Sequence, residues 1–364
     1  MRAAYYERQG PAEDVLIIGE VPIPEPGPDE VRVKIHVSGI NPSDIKARTA
    51  FSAAMMFTRI IPHQDGAGII DAVGANVPAC RLGERVWIYE AQYGGASGTA
   101  AEFVVIPSGQ AIALPDNVSY EVGAALGIPA LTAHRCLFAD GALTGRRVLV
   151  HGGAGVVGTA AILLAKWAGA WVATTVMDSR QASVAEANGA DLVIYRSAEN
   201  IAGTLNKATD GLGIDRIVDV NLKANLDTNM ACLAQGGVIS SYATLSATEE
   251  LSIPLLRAMI RGCVFRFVYI YNVPAEAKRL AITDITACLD TGSYVPQIAI
   301  NLHLDKIAAA HTARIRQRHR ESAGSYRQYI IGGDFTSAVG RCEAFAKDRV
   351  RPIAHVRIVS VRPC

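Results

Sequence analysis

Val148-Leu149-Val150-His151-Gly152-Gly153-Ala154-Gly155-Val156-Val157-Gly158 is the stretch that decides the fold. Three β-favouring residues run into a glycine-rich turn, and a helix-like apolar segment follows at Thr159–Ala168. Gly153, Gly155 and Gly158 form G-x-G-x-x-G. In such a loop one glycine permits the tight strand-to-helix turn. Another lets the backbone approach a pyrophosphate, and a third lets the helix pack closely on the strand. The helix N-terminus then offers unpaired N–H groups and the positive end of its dipole to the phosphates. The motif is weak alone. Here it has the strand before it and the helix after it that dinucleotide binding requires.

The pattern continues outward from the loop. Trp171–Val176, Leu192–Tyr195, Arg216–Val220 and Gly237–Tyr242 read as strands after Val148–His151. Gln181–Asn188 and Leu226–Ala234 read as helices between them. Strand–helix alternation of this kind implies a parallel, doubly wound sheet. Before it the chain is β-rich. Val31–Val37 alternates apolar and polar, Val86–Tyr89 and Ala101–Ile106 are short strands, and Pro and Gly turns punctuate throughout. The expected organisation is a β-rich first part (1–121), a nucleotide domain (122–260), a return to the first domain (261–312), and an Arg-rich tail (313–364).

Composition excludes several classes. The chain has 364 residues, half of them hydrophobic and 19% charged, which is enough core for two domains. A net charge of +1 argues against a general nucleic-acid or membrane-surface role. No apolar run is long enough for a convincing membrane span, and Met1–Glu7 enters a strand-like run without a secretory signal. The seven cysteines are scattered, with no C-x-x-C pair, so no structural zinc site is expected and a reducing cytoplasm is.

Several further motifs carry a resemblance: Gly39-Ile40-Asn41-Pro42-Ser43-Asp44, Gly66-Ala67-Gly68, Gly83-Glu84-Arg85-Val86, Gly98-Thr99-Ala100-Ala101-Glu102-Phe103 and Leu131-Thr132-Ala133, with the glycine loop after them. With these motifs in this order, residues 1–312 resemble the medium-chain dehydrogenase/reductase superfamily, in its zinc-free quinone oxidoreductase (zeta-crystallin-like) branch. The resemblance implies an α/β fold: a GroES-like β-rich catalytic domain plus a Rossmann domain, with the active site in the cleft between them. It implies NADPH-dependent quinone reduction by direct hydride transfer, with solvent supplying protons. Reduction of an enal or enone double bond, and non-catalytic nucleotide binding, are the alternatives. A cytoplasmic homodimer is expected by the same inheritance.

Zinc-dependent relatives place a Cys where this chain has Asn41, and a Gly-His-Glu where it has Pro62-His63-Gln64-Asp65. His63 alone is not a catalytic zinc site, which needs about three protein ligands. It reads as a polar loop residue near the cleft, and no metal is expected. A quinone accepts hydride readily, so the protein's main task is to set the nicotinamide against the acceptor and exclude water. Asn41 is the candidate to donate its amide to a ligand oxygen or to fix the ribose, and Asp44 supports that loop. Tyr93 is a weaker hydroxyl candidate. Phe51, Met55, Met56 and Phe57 offer an apolar wall or ordinary packing.

The resemblance assigns cofactor contacts to Thr132, Gly153, Gly155, Val156, Val157 and Gly158. Preference for NADPH rests on Arg180, whose guanidinium could pair with a 2′-phosphate. Against it, relatives usually carry a Lys at what is here Gln181, and Asp178 is a nearby negative charge.

The tail departs from the family. Relatives follow the equivalent of Ala308–His311 with a Ser-Gly-x-x-x-Gly-Lys-Val-like turn and a closing strand. This chain has Arg314-Ile315-Arg316-Gln317-Arg318-His319-Arg320-Glu321-Ser322. That density of arginine suits an arm for nucleic acid or an acidic partner, but a reading-frame shift accounts for it better. AGG-ATC-CGG-CAA-CGC-CAT-CGG-GAA-AGT is one permitted coding. Read one base later, it gives Gly-Ser-Gly-Asn-Ala-Ile-Gly-Lys and the start of a Val codon. On that reading the closing strand is lost and a sheet edge is left unpaired.

Overall fold

The computed structural model describes residues 1–51, 53–197, 200–320 and 328–332. The glycine-loop strand Arg147–His151 sits mid-sheet, as its composition requires. Leu149 joins one apolar cluster while Val148 and Val150 join another, so the strand is buried on both faces. Around it the six strands are all parallel. Their order is Leu192–Tyr195, Trp171–Val176, Arg147–His151, Ile214–Asp219, Leu233–Ser241 and Val264–Phe267. This is the dinucleotide-binding strand order, which reverses direction beside Arg147–His151 and opens a crevice at the strand ends.

The sheet runs past residue 260, where the sequence placed the domain boundary. Val264–Phe267 is its sixth strand, and the helix Ala275–Asp290 buries Ala281, Ile285, Cys288 and Leu289 in the same core. The chain rejoins the β-rich domain only at Ile298–Leu302. A four-residue strand containing Arg266 gives too little apolar period to be read from sequence. Arg266 is held by the Asp140 carboxylate (2.6 Å), which makes its place at the sheet affordable.

The β-rich domain is a mixed sheet about the long strand Glu30–Ile40, whose Val31, Val33, Ile35 and Val37 point inward. It pairs antiparallel with Asp65–Val73, with Phe103–Pro107 and with Gln328–Gly332. The last pairing corrects the expectation of a lost closing strand. Gln328–Gly332 lies between Ile298–Leu302 and Glu30–Ile40, with Ile330 and Ile331 buried. Ile330 packs into one apolar cluster and Ile331 into another, so these two β-branched residues bury the strand on both faces. The helix Ile307–Arg320 precedes it. The rest of the proposed tail, 321–327 and 333–364, lies outside the described residues.

One apolar core joins the two domains. Val37, Ala67 and Trp87 of the β-rich sheet are continuous with Leu131 of the helix Gly127–Phe138 and with Val150. No described helix is long and apolar enough to cross a membrane.

Candidate active site

A cavity of about 950 Å³ lies between the domains. On its cofactor wall the loop after Arg147–His151 turns at Gly152, whose φ of 72° favours a residue without a Cβ. Gly152 precedes the three glycines singled out in the sequence, so the turn itself belongs to a fourth. A Cβ on Gly153 would lie 2.1 Å from the Thr174 hydroxyl, and one on Gly158 would lie 2.2 Å from the Gly152 carbonyl. Both glycines serve close packing and stand behind the cavity wall. Gly155, Val156 and Val157 line it. Gly155 caps the helix Val156–Trp167, and no side chain satisfies the first N–H groups. That open N-terminus fits a pyrophosphate.

The loop rests on a buried network. His151 contacts Thr175 Oγ1 (3.1 Å) and Asn229 Oδ1 (2.8 Å), and Asn229 donates to Asp219 (2.5 Å). Thr132, buried on the helix Gly127–Phe138, also lines the cavity.

Arg180 is placed differently from the expectation. Its side chain is 75% exposed, pairs with Asp178 (3.1 Å), and does not line the cavity. Asp178 caps the helix Ser179–Ala187 by accepting the Gln181 N–H (2.9 Å). The arginine that borders the cavity is Arg196. It also lines a small hollow beside Gly152, Met177 and Gln181 at the end of Trp171–Val176. It sits one residue past the strand Leu192–Tyr195, where sequence offered no motif to mark it.

The catalytic wall also departs from the expectation. Asn41 is fully buried, and its amide N–H donates to Asp65 (2.7 Å), not toward the cavity. Asp44 accepts the Asn41 backbone N–H (2.6 Å). The pair starts the helix Pro42–Arg48 and aims Ser43 and Lys46 at the cavity. Asn41 and Asp44 therefore position the wall. The Asp65 carboxylate also accepts the Ile128 N–H (2.9 Å). Burial pushes its pKa well above the usual range, against the pull of the Asn41 and Ile128 donors.

His63 stands one residue before Gln64, which lines the cavity, but it is fully buried and turns away from it. Its φ of 84° is left-handed, and this reversal sends its ring inward while Gln64 faces the cavity. The hydrogen bonds fix both tautomers. Arg48 can only donate, so His311 Nδ1 accepts (3.4 Å) and His311 Nε2 carries a proton. That proton goes to His63 Nε2 (2.8 Å), so His63 Nδ1 donates to Ser38 (2.7 Å). Ser38 donates to Thr99 (2.7 Å), and Thr99 to the Asp65 carbonyl (2.5 Å). Burial pushes the His63 pKa down to about 3. Among the described residues no three His, Cys, Asp or Glu side chains converge as a metal site would need.

Of the apolar candidates only Phe51 lines the cavity. Met56 is 84% exposed, and Met55 packs beside Tyr6, Val15 and Ile60. An aromatic group that sequence did not assemble takes their place. Tyr93 stacks on Tyr271 (4.5 Å), and Tyr269 tilts against Tyr271 (5.1 Å). The Tyr93 hydroxyl donates to Asn272 (3.2 Å). Two more contacts bridge the domains: Lys278 to Glu90 (2.6 Å) and Lys46 to the Thr244 carbonyl (3.0 Å).

Comparison with known proteins agrees with this architecture. Residues 27–116 match the alcohol dehydrogenase GroES-like domain, and residues 156–285 match the zinc-binding dehydrogenase family. The chain is 32% identical over 314 residues to the quinone oxidoreductase of Mus musculus, covering 85% of this chain and 93% of that one. The quinone oxidoreductase of Pseudomonas syringae pv. tomato DC3000 superposes with a TM-score of 0.76 at 25% identity, covering 91% of this chain and 99% of that one. A mycobacterial protein complexed with NADPH shares the fold, with a TM-score of 0.77 at 23% identity, covering 92% of this chain and 100% of that one.

Proposed function

We propose that this chain, which belongs to the zeta-crystallin-like quinone oxidoreductase branch of the medium-chain dehydrogenase/reductase superfamily, reduces quinones with NADPH. The observation that carries the reading is the cavity itself. An uncapped helix N-terminus on one wall faces a wall of amides, hydroxyls and aromatic rings on the other. Bound there, the nicotinamide supplies a hydride, and solvent supplies the proton that completes the hydroquinone.

The chain's own residues bind, orient and exclude water. Gly155, Val156 and Val157 present the helix end to the pyrophosphate, and Gly153 and Gly158 let that loop close on its strand. Thr132 stands on the helix between the two walls. Arg196 is the cation for a 2′-phosphate, with Arg180 an outer, screened contributor. Asn41 and Asp44 hold the turn that presents Ser43. Tyr93, Tyr269 and Phe51 supply flat apolar surface for a ring, and the Lys278–Glu90 bridge keeps the two walls together.

The test is oxidation of NADPH by purified, metal-stripped protein with a small quinone, with NADH in parallel. Turnover that favours NADPH is expected. Cofactor binding with no turnover on quinones would sink the reading, and turnover on an enone alone would replace it with double-bond reduction.

The same reading includes a homodimer. The sixth strand of the parallel sheet, Val264–Phe267, is an edge among the described residues, and Phe267 on it is 67% exposed. Beside it the helix Leu255–Arg261 exposes Leu255, Leu256, Met259 and Ile260. An apolar edge of this kind calls for a partner. Sedimentation should give twice the chain mass, and a monomer at micromolar concentration would remove the dimer from the reading.

A further inference from the structure

We propose that the rim of the cavity beside the last two strands of the parallel sheet holds an apolar chain, so that the favoured quinones carry an alkyl or isoprenoid substituent. The proposal rests on the quinone reductase reading and names the substrate class within it.

The order of the parallel sheet divides the cavity. All six strands run the same way, so the segments that leave them follow one another along the cleft in sheet order. Arg196 follows the first strand, Leu192–Tyr195, and Gly155 follows the third, Arg147–His151. On the proposed reading, the adenosine half of the cofactor lies between those two. Neighbouring strands are about 4.8 Å apart, so the cleft runs on for roughly 14 Å from the third strand to the sixth. Nicotinamide and quinone ring share that stretch. At its far end the cavity is lined by Leu245, which follows the fifth strand, and by Tyr269, which follows the sixth.

This rim is apolar and open. Leu245 is 51% exposed, Tyr269 is 58% exposed, and Tyr93 of the β-rich domain is 45% exposed. The residues that line the cavity between Tyr242 and Ala247, and between Phe267 and Tyr271, carry no charge. Lys46 reaches the rim, but its ammonium is held by the Thr244 carbonyl (3.0 Å) and lies over the Phe51 ring (4.4 Å). A hydrocarbon chain laid on such a surface removes apolar area of both partners from water.

The tyrosines give the rim its length. Tyr93 stacks on Tyr271 and Tyr269 tilts against it. Their contacts make one aromatic shelf that leads from the half-buried Tyr271 out to Tyr269. Phe267 also lines the cavity, but it stands on the edge assigned to the dimer partner, so the shelf ends there.

The experiment uses the full chain and a series of 1,4-naphthoquinones with unbranched alkyl chains of one to six carbons. Affinity is read by calorimetry in the presence of NADP⁺, and turnover with NADPH is read separately. Affinity should rise roughly twofold per methylene, as for a chain covered on one side only. In Leu245→Ser and Tyr269→Ser that gain per methylene should fall toward none. Met56→Ser removes an equally exposed apolar side chain that does not line the cavity, and should keep the wild-type gain. A gain in affinity without turnover on any member would overturn the quinone reductase reading and uphold the rim as a site for apolar chains. A flat series in the wild type would overturn the proposal whatever the turnover. So would a gain that survives both Leu245→Ser and Tyr269→Ser, since the chain would then lie elsewhere.

Discussion

The cofactor wall of the cleft and the catalytic wall opposite it are built from different atoms. Gly155, Val156 and Val157 meet the cavity at the uncapped end of a helix, so what they offer is backbone. Facing them, Ser43, Gln64 and Tyr271 meet it with side chains, chosen by how the chain turns just before each one. A backbone site tolerates changes of side chain but not of shape. A side-chain site can be redirected by one dihedral angle, as His63 and Gln64 show: a left-handed φ at one residue decides which of the two faces the cleft.

The sharpest way to break this contrast is to alter shape on the cofactor wall. Gly158→Val puts side-chain carbon where the Gly152 carbonyl already stands. It should cost roughly 2–3 kcal/mol of stability and on the order of a hundredfold in NADPH affinity. Urea denaturation and a fluorescence titration would measure the two. A variant that folds and binds like the wild type would show that the loop does not bind through its backbone.

A smaller effect separates two arginines. Arg196→Gln should lower NADPH affinity roughly tenfold or more while sparing NADH, whereas Arg180→Gln should change either by less than about threefold. The ratio of the two affinities in each variant reads this directly. The reverse ranking would return the 2′-phosphate to the sequence-based choice.

A third test concerns His63 and pH. Its pKa is near 3 in the fold, against about 6.5 when unfolded. Between those values the unfolded chain binds a proton that the folded chain refuses. Stability is therefore complete above about pH 6.5 and falls as pH drops, by about 1.4 kcal/mol per pH unit from this group. His63→Asn, which tolerates positive φ, should flatten the urea-midpoint profile across that window. An unchanged slope would mean that the buried ring is not what titrates.

These contrasts also explain what could be read without coordinates. The glycine loop, its flanking strand and helix, and the parallel sheet were legible because local periodicity and backbone chemistry specify them. Val264–Phe267 was not, since its place depends on an ion pair between Arg266 and Asp140, far apart in sequence. Asn41 stands in the turn before Pro42–Arg48, but its partner Asp65 was invisible in the sequence, and with it the direction of the amide. Tyr271 carries no motif. Only the packing of Tyr93 across the domain boundary brings its ring to the cavity. Gln328–Gly332 took a slot that the departure from the family pattern had suggested would be empty.

That last strand has a consequence for how the protein is made. The cofactor sheet is assembled from one continuous run of chain, Arg147 to Phe267, and can close as soon as that run leaves the ribosome. Glu30–Ile40 is synthesised far earlier, yet one of its neighbours, Gln328–Gly332, comes only after the cofactor sheet is complete. The β-rich domain begins first and finishes second, so its longest strand waits with one edge open while the whole cofactor sheet is made. A stalled nascent chain ending before Gln328 should already protect the cofactor domain from protease while Glu30–Ile40 stays cleavable.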